Sequence, residues 1–441
     1  MKKITGFTSA LLFASVSLTA SAATPSVTVT GGSHTPVSIE PDRQSGLSAL
    51  YVVDASGGDQ VTAVYTPATP GTPVTWSRFS SQGGANAIPI DNISGYTLAD
   101  LEPDMGYIVT EGNRQTCFWV SDYASHPFAI DAVAISGADC SSVTLHPKGH
   151  GGRMVYYSIN GRPLEIDREI ALTYTSLEFD SESHSYRPVN VIAKLAYLRD
   201  EIHAAAPLTA TSFAIEGDRF LAAWGLVSRA ESNTIDPVAV DATVSVSQIP
   251  RDSADNEQTG GDASGGDMLG GSAPVGVDFE AVVTDGARFT EWQFASDPDF
   301  SSVDLRFSDS SMIYTFTESG TTYARFVAAN GDGSCEYTGD PFVISIGESD
   351  LKCPNAFTPG NQDGVNDEWR VSYKSIIAFD CVIFARSGRR VAHLTDPSQG
   401  WDGRIGGKMA PSGVYYYIIK ATGSDGRQYN LSGDINIIGY K

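Results

Sequence analysis

Ala410-Pro411-Ser412-Gly413-Val414-Tyr415-Tyr416-Tyr417-Ile418-Ile419-Lys420 is the stretch that indicates the fold most directly. Aromatic and β-branched side chains fill it and turn residues precede it, which is typical of a strand. Residues 382–384 and 435–438 are runs of the same kind, and Asp425-Gly426 between two strand candidates is a strong hairpin signal. Short strands over about 90 residues indicate one Ig-like sandwich.

Several spaced motifs cover the same region of the chain. They read PNAFTP at 354–359, NQDGVND at 361–367, GWDG at 400–403 and PSGVYY at 411–416. This order resembles the gliding-motility-associated C-terminal domain, which is the type B sorting domain of the Bacteroidetes type IX secretion system. Two departures are PGNQDG at 359–364, where the family has PNGDG, and Arg386-Ser387-Gly388, where RWG is usual.

The resemblance implies a sorting and docking motif in this region. Its members are Pro354, Asn355, Phe357, Thr358, Pro359, Asp363, Gly364, Asn366, Asp367, Trp401, Asp402, Gly403, Pro411, Gly413 and Tyr415. A tail of this kind is expected to bind the type IX translocon and an outer-membrane barrel of the PorP/SprF family. We therefore expect an exported protein, which passes the periplasm on its way to the cell surface or the extracellular space.

The N-terminus predicts the first step of that route. Lys2 and Lys3 precede a short apolar stretch at 11–18, and Ala20-Ser21-Ala22 fits a small-residue cleavage site. Residues 1–22 are therefore predicted to be a secretory signal peptide, with a mature start near Ala23. No other segment approaches about 18 continuous apolar residues, so we expect no transmembrane segment in the mature chain.

The charge of the chain is strongly negative and unevenly spread. The net charge is −23; residues 351–441 hold 11 basic and 8 acidic residues, whereas residues 23–350 hold 16 basic and 44 acidic residues. An acidic body favours solubility and avoids anionic surfaces. Nucleic-acid binding is disfavoured, because phosphate contacts need clustered Lys and Arg.

The sequence predicts mainly β structure, with tandem Ig-like β-sandwich domains and a flexible Gly-rich linker. A length of 441 residues suits three or four domains. The predicted units are a β-sandwich domain at 23–127, a β-rich domain with a possible short helix at 128–251, the linker at 252–272, a PKD/Ig-like domain at 273–348 and the type B sorting domain at 349–441.

Three features support these divisions. Residues 252–271 have almost no large apolar side chain, so they cannot offset the entropy of ordering. The run at 190–205 has roughly helical apolar spacing, although Val191-Ile192 also allows a strand at its start. Trp292-Gln293-Phe294 and Asn330-Gly331-Asp332-Gly333 resemble, in their order, motifs of PKD domains.

Five cysteines in an exported chain allow disulfides but do not make a disulfide scaffold. Cys117 with Cys140 and Cys353 with Cys381 are plausible pairs, and Cys335 could replace one of these partners. The odd count leaves at least one free thiol.

No catalytic site, metal site or cofactor is predicted. His146 and His150 have a spacing compatible with a metal ion, but Pro147 and the glycines that follow favour a flexible surface loop. The segment 361–367 offers oxygen ligands for Ca²⁺ but lacks the EF-hand spacing, so a network of Asx turns is favoured.

These observations predict a non-enzymatic, multidomain β protein whose body is a binding or spacer module. One alternative is a component of the type IX export machinery or of its envelope signalling. A second alternative is a hydrolase with an unrecognised site in 128–251, because acidic residues are abundant and a sequence does not show which carboxylates lie at catalytic separation.

Overall fold

The computed structural model describes residues 26–56, 58–91, 93–251, 256–258, 269–361 and 363–439. The predicted signal peptide and most of the predicted linker lie outside these residues. The described chain is about 54% strand and has almost no helix, which confirms the predicted fold class. No helix within the described ranges is long and apolar enough to cross a bilayer.

The first domain is a sandwich of two sheets. Its three-stranded sheet has the order β1-β4-β7, and its six-stranded sheet has the order β2-β3-β9-β8-β5-β6. The strands are β1 Ser26–Thr30, β2 Val37–Ile39, β3 Ala49–Val53, β4 Thr62–Thr66, β5 Val74–Phe79, β6 Ile88–Ile90, β7 Thr97–Leu98, β8 Met105–Glu111 and β9 Arg114–Asp122.

The six-stranded sheet is buried on both faces. On β9, Phe118 and Val120 belong to the core of the first sandwich, whereas Cys117 and Trp119 belong to a core shared with the next domain. Successive side chains of a strand point to opposite faces, so a strand covered on both sides is apolar throughout. The ring of Trp119 lies 5.6 Å from that of Tyr157 in the second domain. The residues on the two sides of the boundary predicted at 127 therefore share one continuous hydrophobic core.

The second domain contains sheets with the orders β10-β11-β16, β15-β14-β17-β18 and β12-β13. It has one short helix, α1 Arg219–Ala223, for which Asp218 is the N-cap residue. The strands are β10 Ala129–Ala138, β11 Ser142–His150, β12 Met154–Tyr157, β13 Pro163–Ile166, β14 Ile170–Asp180, β15 Ser185–Leu195, β16 Ile202–Ala205, β17 Ala214–Gly217 and β18 Ser228–Glu231.

Two local predictions in this domain are wrong. The possible helix at 190–205 is the end of β15 followed by β16, and β15 alternates half-buried and exposed side chains with a period of two. The flexible loop predicted at 146–150 is the end of β11, where Pro147 lies opposite Val133 on β10. Pro147 is tolerated because β16 pairs only with residues 142–145, which leaves the other side of β11 free at this point.

The third domain begins earlier than predicted. Its sheets have the orders β19-β21-β24 and β20-β27-β25-β22-β23, with β26 paired to β25. The strands are β19 Ala242–Gln248, β20 Leu269–Gly271, β21 Val275–Val283, β22 Phe289–Ala295, β23 Leu305–Phe307, β24 Ser311–Phe316, β25 Gly320–Ala329, β26 Glu336–Thr338 and β27 Phe342–Ile346.

The boundary predicted at 251 is therefore contradicted. Strand β19 pairs with β21 over seven residues, and Ala242 lies in the core of the third domain. The Gly-rich segment connects two strands of one sandwich and does not separate the second domain from the third. Within it, Asn256 bonds to Val371 and Pro397, so part of the segment contacts the C-terminal domain.

The described residues contain one disulfide, and it differs from both preferred pairings. Cys140 bonds to Cys335, which ties the hairpin of β10 and β11 to the third domain. Cys117, Cys353 and Cys381 are free thiols. The alternative in which Cys335 replaces a partner is the correct one, because Cys117 is buried in the core shared by the first two domains.

The C-terminal domain has a five-stranded sheet of order β29-β36-β35-β31-β32 and two short two-stranded sheets, β28-β30 and β33-β34. Its core draws only on residues 351–437. The strands are β28 Asp350–Lys352, β29 Ala356–Phe357, β30 Ser372–Lys374, β31 Ile376–Ala385, β32 Arg390–Leu394, β33 Arg404–Ile405, β34 Lys408–Met409, β35 Gly413–Gly423 and β36 Gln428–Ile437.

Candidate functional site

Three aromatic residues of the predicted docking motif lie inside the C-terminal domain. Phe357, Trp401 and Tyr415 are buried, and the ring of Trp401 lies 5.4 Å from that of Phe357 and 5.0 Å from that of Tyr415. The Tyr415 hydroxyl donates to the Pro411 carbonyl at 3.0 Å, which fixes the turn before β35. These residues therefore build the domain and do not themselves present a contact surface.

Trp369 is a further member of this core that the motif comparison did not select. It is fully buried, and its indole Nε1 donates to the Pro354 carbonyl at 2.7 Å. Its backbone exchanges two hydrogen bonds with Trp401, at 2.9 and 3.0 Å. The signal available in the sequence was a Trp directly after the largely polar run at 361–368, three residues before β30.

The loop at 361–367 contains the predicted Asx network. An Asp363 carboxylate oxygen accepts the amide of Val365 at 2.9 Å, and Asp367 accepts the amide of Gly364 at 2.8 Å. Gly364 and Asn366 have positive φ angles of 82° and 54°, which Gly and Asn tolerate best. No group of three or more His, Cys, Asp or Glu side chains suited to a metal ion occurs among the residues described.

Gly403 has the least room for a side chain among the glycines of the motif. A Cβ atom at this position would lie 2.7 Å from Pro359 Cγ, and the backbone φ is +71°. The Gly403 carbonyl also accepts the amide of Ala410 at 2.9 Å. The motif segments at 354–359 and 400–403 are therefore in direct contact, although 40 residues separate them in the chain.

The motif segments meet at one end of the domain, which we call the motif end and define as residues 354–361, 363–367, 401–403 and 411–414 with Ile438. Strand β29 joins this end through a parallel pair with β36, in which Phe357 lies opposite Ile437. Strand β35 starts here, with Gly413 also opposite Ile437. The structure thus brings together segments that are far apart in the sequence.

The surface of the motif end combines polar groups with exposed apolar side chains. Pro354, Asn355, Asp363, Gly364, Asn366, Asp402, Pro411 and Gly413 are the exposed members of the predicted motif. Val365 is 61% exposed, Ile438 is 54% exposed and Val414 is 40% exposed. Exposed apolar side chains surrounded by polar groups are typical of surfaces that contact another protein.

The opposite end of the same strands is attached to the third domain. The turn between β35 and β36 receives a hydrogen bond from the Ser319 amide to the Ser424 carbonyl at 3.0 Å. Nearby, the Ser375 amide donates to Ser272 Oγ at 2.7 Å, and Ser375 is fully buried. Strand β35 has 11 residues and therefore separates the two ends by roughly 33 Å.

Ionisable groups in this domain are perturbed by structural contacts. A hydrogen bond from Ser349 lowers the pKa of Asp425, which lies at the attached end. Burial raises the pKa of the Cys381 thiol to about 12 and also raises that of Cys353. The raised pKa makes both thiols weakly reactive, and the lowered pKa of Asp425 reflects a structural hydrogen bond.

Comparison with known proteins identifies two segments of the chain. Residues 351–437 match the model of the CHU_C type IX secretion signal domain, as the order of the motifs predicted. Residues 132–232 match a model of the fibronectin type III domain. No curated protein matches the chain.

Solved structures also show a detectable likeness to this chain. A tetra-tandem repeat from the extending region of a large adhesion protein is 12% identical, and the match covers 86% of this chain and 95% of that one with a TM-score of 0.21. The FN1–FN3 domains of chicken CNTN1 are 11% identical, with 70% and 99% covered and a TM-score of 0.24.

The secretion signal domain is the finding that bears on function. The chain carries a type IX sorting signal behind Ig-like sandwich domains, and this signal implies export to the cell surface or the extracellular space. Neither matched family model describes an enzyme.

Proposed function

We propose that this chain is a non-enzymatic protein that the type IX system exports. The C-terminal domain is its export signal, and the three preceding domains form a binding or spacer module. The match of residues 351–437 to the type IX secretion signal domain carries the proposal. The predicted signal peptide at 1–22 would first take the chain across the inner membrane. A surface or extracellular location follows from these two steps.

The motif end is the surface that we propose docks onto the translocon and a PorP/SprF-family barrel. Three observations support this choice: its exposed apolar side chains, its polar rim, and its position at the far end of β35 from the attachment to the third domain. A partner bound at this end would lie away from the attachment to the third domain. The buried aromatic residues of the motif would act by holding the exposed segments in place.

The body suits a rigid spacer that carries binding sites. The first two domains share one hydrophobic core, and the Cys140–Cys335 disulfide ties the second domain to the third. Such links limit motion between neighbouring domains more than a flexible linker does.

Export is tested by attaching residues 1–22 and 238–441 to the two ends of a fluorescent reporter in a Bacteroidetes host. We expect the reporter at the surface or in the medium, and in the periplasm when residues 349–441 are removed. A host that lacks the type IX system should retain both forms in the periplasm. Export that continues without residues 349–441 would refute the proposal.

The docking surface is tested with one substitution at each of two exposed isoleucines. Ile438→Asp places a charge on the motif end, whereas Ile418→Asp places one on the open face of the sheet, where the side chain is similarly exposed at 50%. We expect the first to lower export about tenfold or more, as loss of an interface anchor does, and the second to have little effect. The reverse result would assign docking to the sheet face.

A further inference from the structure

One face of the five-stranded sheet in the C-terminal domain carries exposed apolar side chains. Along β35, the even-numbered residues from 414 to 420 point away from the core, because side chains alternate between the two faces of a strand. Tyr416 is 45% exposed and Ile418 is 50% exposed. Their cross-strand partners on β31, Phe384 and Val382, are half-buried on the same face. We call the surface that these side chains and their cross-strand neighbours form the open face.

The open face is built from rows of residues that lie opposite one another on neighbouring strands. The first row contains, from β36 to β32, Asp434, Tyr416, Phe384 and Arg390. An aromatic ring thus lies on each of the two central strands, and opposite charges lie at the two ends of the row. One half of the row is therefore the chemical counterpart of the other half.

The next two rows repeat this relation between β35 and β31. Ile418 lies opposite Val382 in the second row, and Lys420 lies opposite Asp380 in the third. Asp380 also binds His393 of β32 at 2.6 Å, but a carboxylate can accept further donors. Each apolar side chain on β35 therefore has an apolar counterpart on β31, and the charge on β35 has an opposite charge on β31.

A two-fold axis that runs parallel to the strands, between β35 and β31, makes the open face complementary to itself. Such an axis sets each residue of one copy against the residue in the mirrored position of the same row on the second copy. The facing pairs are Tyr416 with Phe384, Ile418 with Val382, Asp434 with Arg390, and Lys420 with Asp380. In each of these pairs an apolar group meets an apolar group or a negative charge meets a positive one.

A two-fold axis perpendicular to the strands does not give this match. Centred on the second row, it would set Tyr416 against Lys420. It would also set Phe384 against Asp380, which would bury a carboxylate against an aromatic ring. The parallel axis is therefore favoured, and it agrees with the way in which stacked sheets keep their strands within about 30° of each other.

The distribution of charge along the chain also favours contact through this domain. Residues 23–350 hold 44 acidic and 16 basic residues, whereas residues 351–441 hold 8 acidic and 11 basic residues. Two acidic bodies repel each other, and the C-terminal domain has no such excess of negative charge. In the parts of the chain that the structure describes, neither Arg390 nor Lys420 has an ion-pair partner, so both can pair with a second copy.

We propose that two copies of this chain pair through the open faces of their C-terminal domains. The face is four strands wide and seven residues long, or roughly 19 Å by 20 Å, which is small for a protein interface. The pair is therefore weak, with a Kd in the micromolar range. Because the axis is parallel to the strands, both motif ends lie at the same end of the pair. Two joined bodies bind a repeated ligand with higher avidity than one body does.

Sedimentation velocity of purified residues 23–441 measures the pairing. A concentration series from about 1 μM to about 500 μM covers the expected range of affinity. We expect the mass to rise towards twice that of the monomer, and the affinity to fall as salt is added, because salt screens the exposed charge pairs. A chain that stays monomeric over the whole series would overturn the proposal.

Two isoleucine variants then locate the interface. Ile418→Asp should weaken the pairing at least tenfold, because it sets a carboxylate against Val382 of the second copy. Ile438→Asp is the matched control, since this isoleucine of the same domain is similarly exposed but lies at the motif end. Its pairing should equal that of the wild type. Wild-type pairing in Ile418→Asp would show that the open face is not the interface.

A charge exchange tests the orientation of the two copies. Arg390→Asp sets two acidic groups against each other and should weaken the pairing by about tenfold. Adding Asp434→Arg to the same chain restores opposite charges and should recover most of the loss. A double variant that pairs no better than Arg390→Asp would refute the parallel axis.

Pairing and export have separate readouts. Ile418→Asp should lose pairing and keep export, whereas Ile438→Asp should keep pairing and lose export. Failure of the pairing proposal is therefore distinguishable from failure of the export proposal.

Discussion

Truncating Trp401 should strongly destabilise the C-terminal domain while leaving the other domains unchanged. The side chain is 3% exposed, packs between Phe357 and Tyr415, and donates from Nε1 to the Arg404 carbonyl at 3.1 Å. Replacing a buried Trp by Ala costs about 3–5 kcal/mol. Since a domain is stable by about 5–15 kcal/mol in total, Trp401→Ala removes a large share of the stability of this domain.

Hydrogen exchange followed by mass spectrometry measures this loss in each domain of the full mature chain. Amides of Gly413–Gly423 should lose protection by roughly two to three orders of magnitude, whereas those of Val275–Val283 in the third domain should not change. Trp401→Phe keeps an aromatic ring in the core and should give an intermediate loss. Equal protection of Gly413–Gly423 in wild type and Trp401→Ala would refute the view that the motif tryptophan acts through folding.

Three further outcomes follow from the structure. Gly403→Ala should destabilise the C-terminal domain by about 2–4 kcal/mol in chemical denaturation, because the new Cβ meets Pro359 and the φ angle is positive; a neutral effect would contradict this packing. Iodoacetamide at pH 8 should leave Cys381 unmodified in the native protein, since burial raises its pKa to about 12, and Cys335 should be labelled only after reduction and denaturation; labelling of either in the native state would contradict the structure. Backbone and hydroxyl donors of the following turn lower the pKa of Asp139 to about 2. The stabilising contribution of Asp139 should therefore be fully present above pH 3.8, the ordinary pKa of the group, and be lost as the pH falls through 2. An NMR titration midpoint at 3.8 would exclude these hydrogen bonds.

Local pattern was sufficient to predict the strands of the C-terminal hairpin. Residues 414–419 carry β-branched and aromatic side chains, and Asp425-Gly426 favours the turn that joins β35 to β36. Both signals lie within a few residues of the structure that they specify. The family motifs added the order of the segments, which the match to the secretion signal domain confirms.

Features that depend on distant partners could not be predicted in this way. Strand β19 is assigned to the third domain by its pairing with β21, across a Gly-rich segment that has no strand signal. Cys335 lies 195 residues from Cys140 in sequence, and only the packed domains bring the two together. At the candidate site, motif composition did not distinguish the buried Trp401 from the exposed Asp402 beside it, because burial is set by the neighbouring strands.

The contact between the Gly-rich segment and the C-terminal domain can form only after both parts of the chain have been made. Gln258 donates its amide to the carbonyl of Tyr373, and the Tyr373 amide donates to the carbonyl of Asn256. Because a chain is synthesised from its N-terminus, residues 256–258 are made before residue 373. This contact can form only when the C-terminal domain is present, so a product truncated before that domain would leave residues 256–258 without these partners and more open to proteolysis.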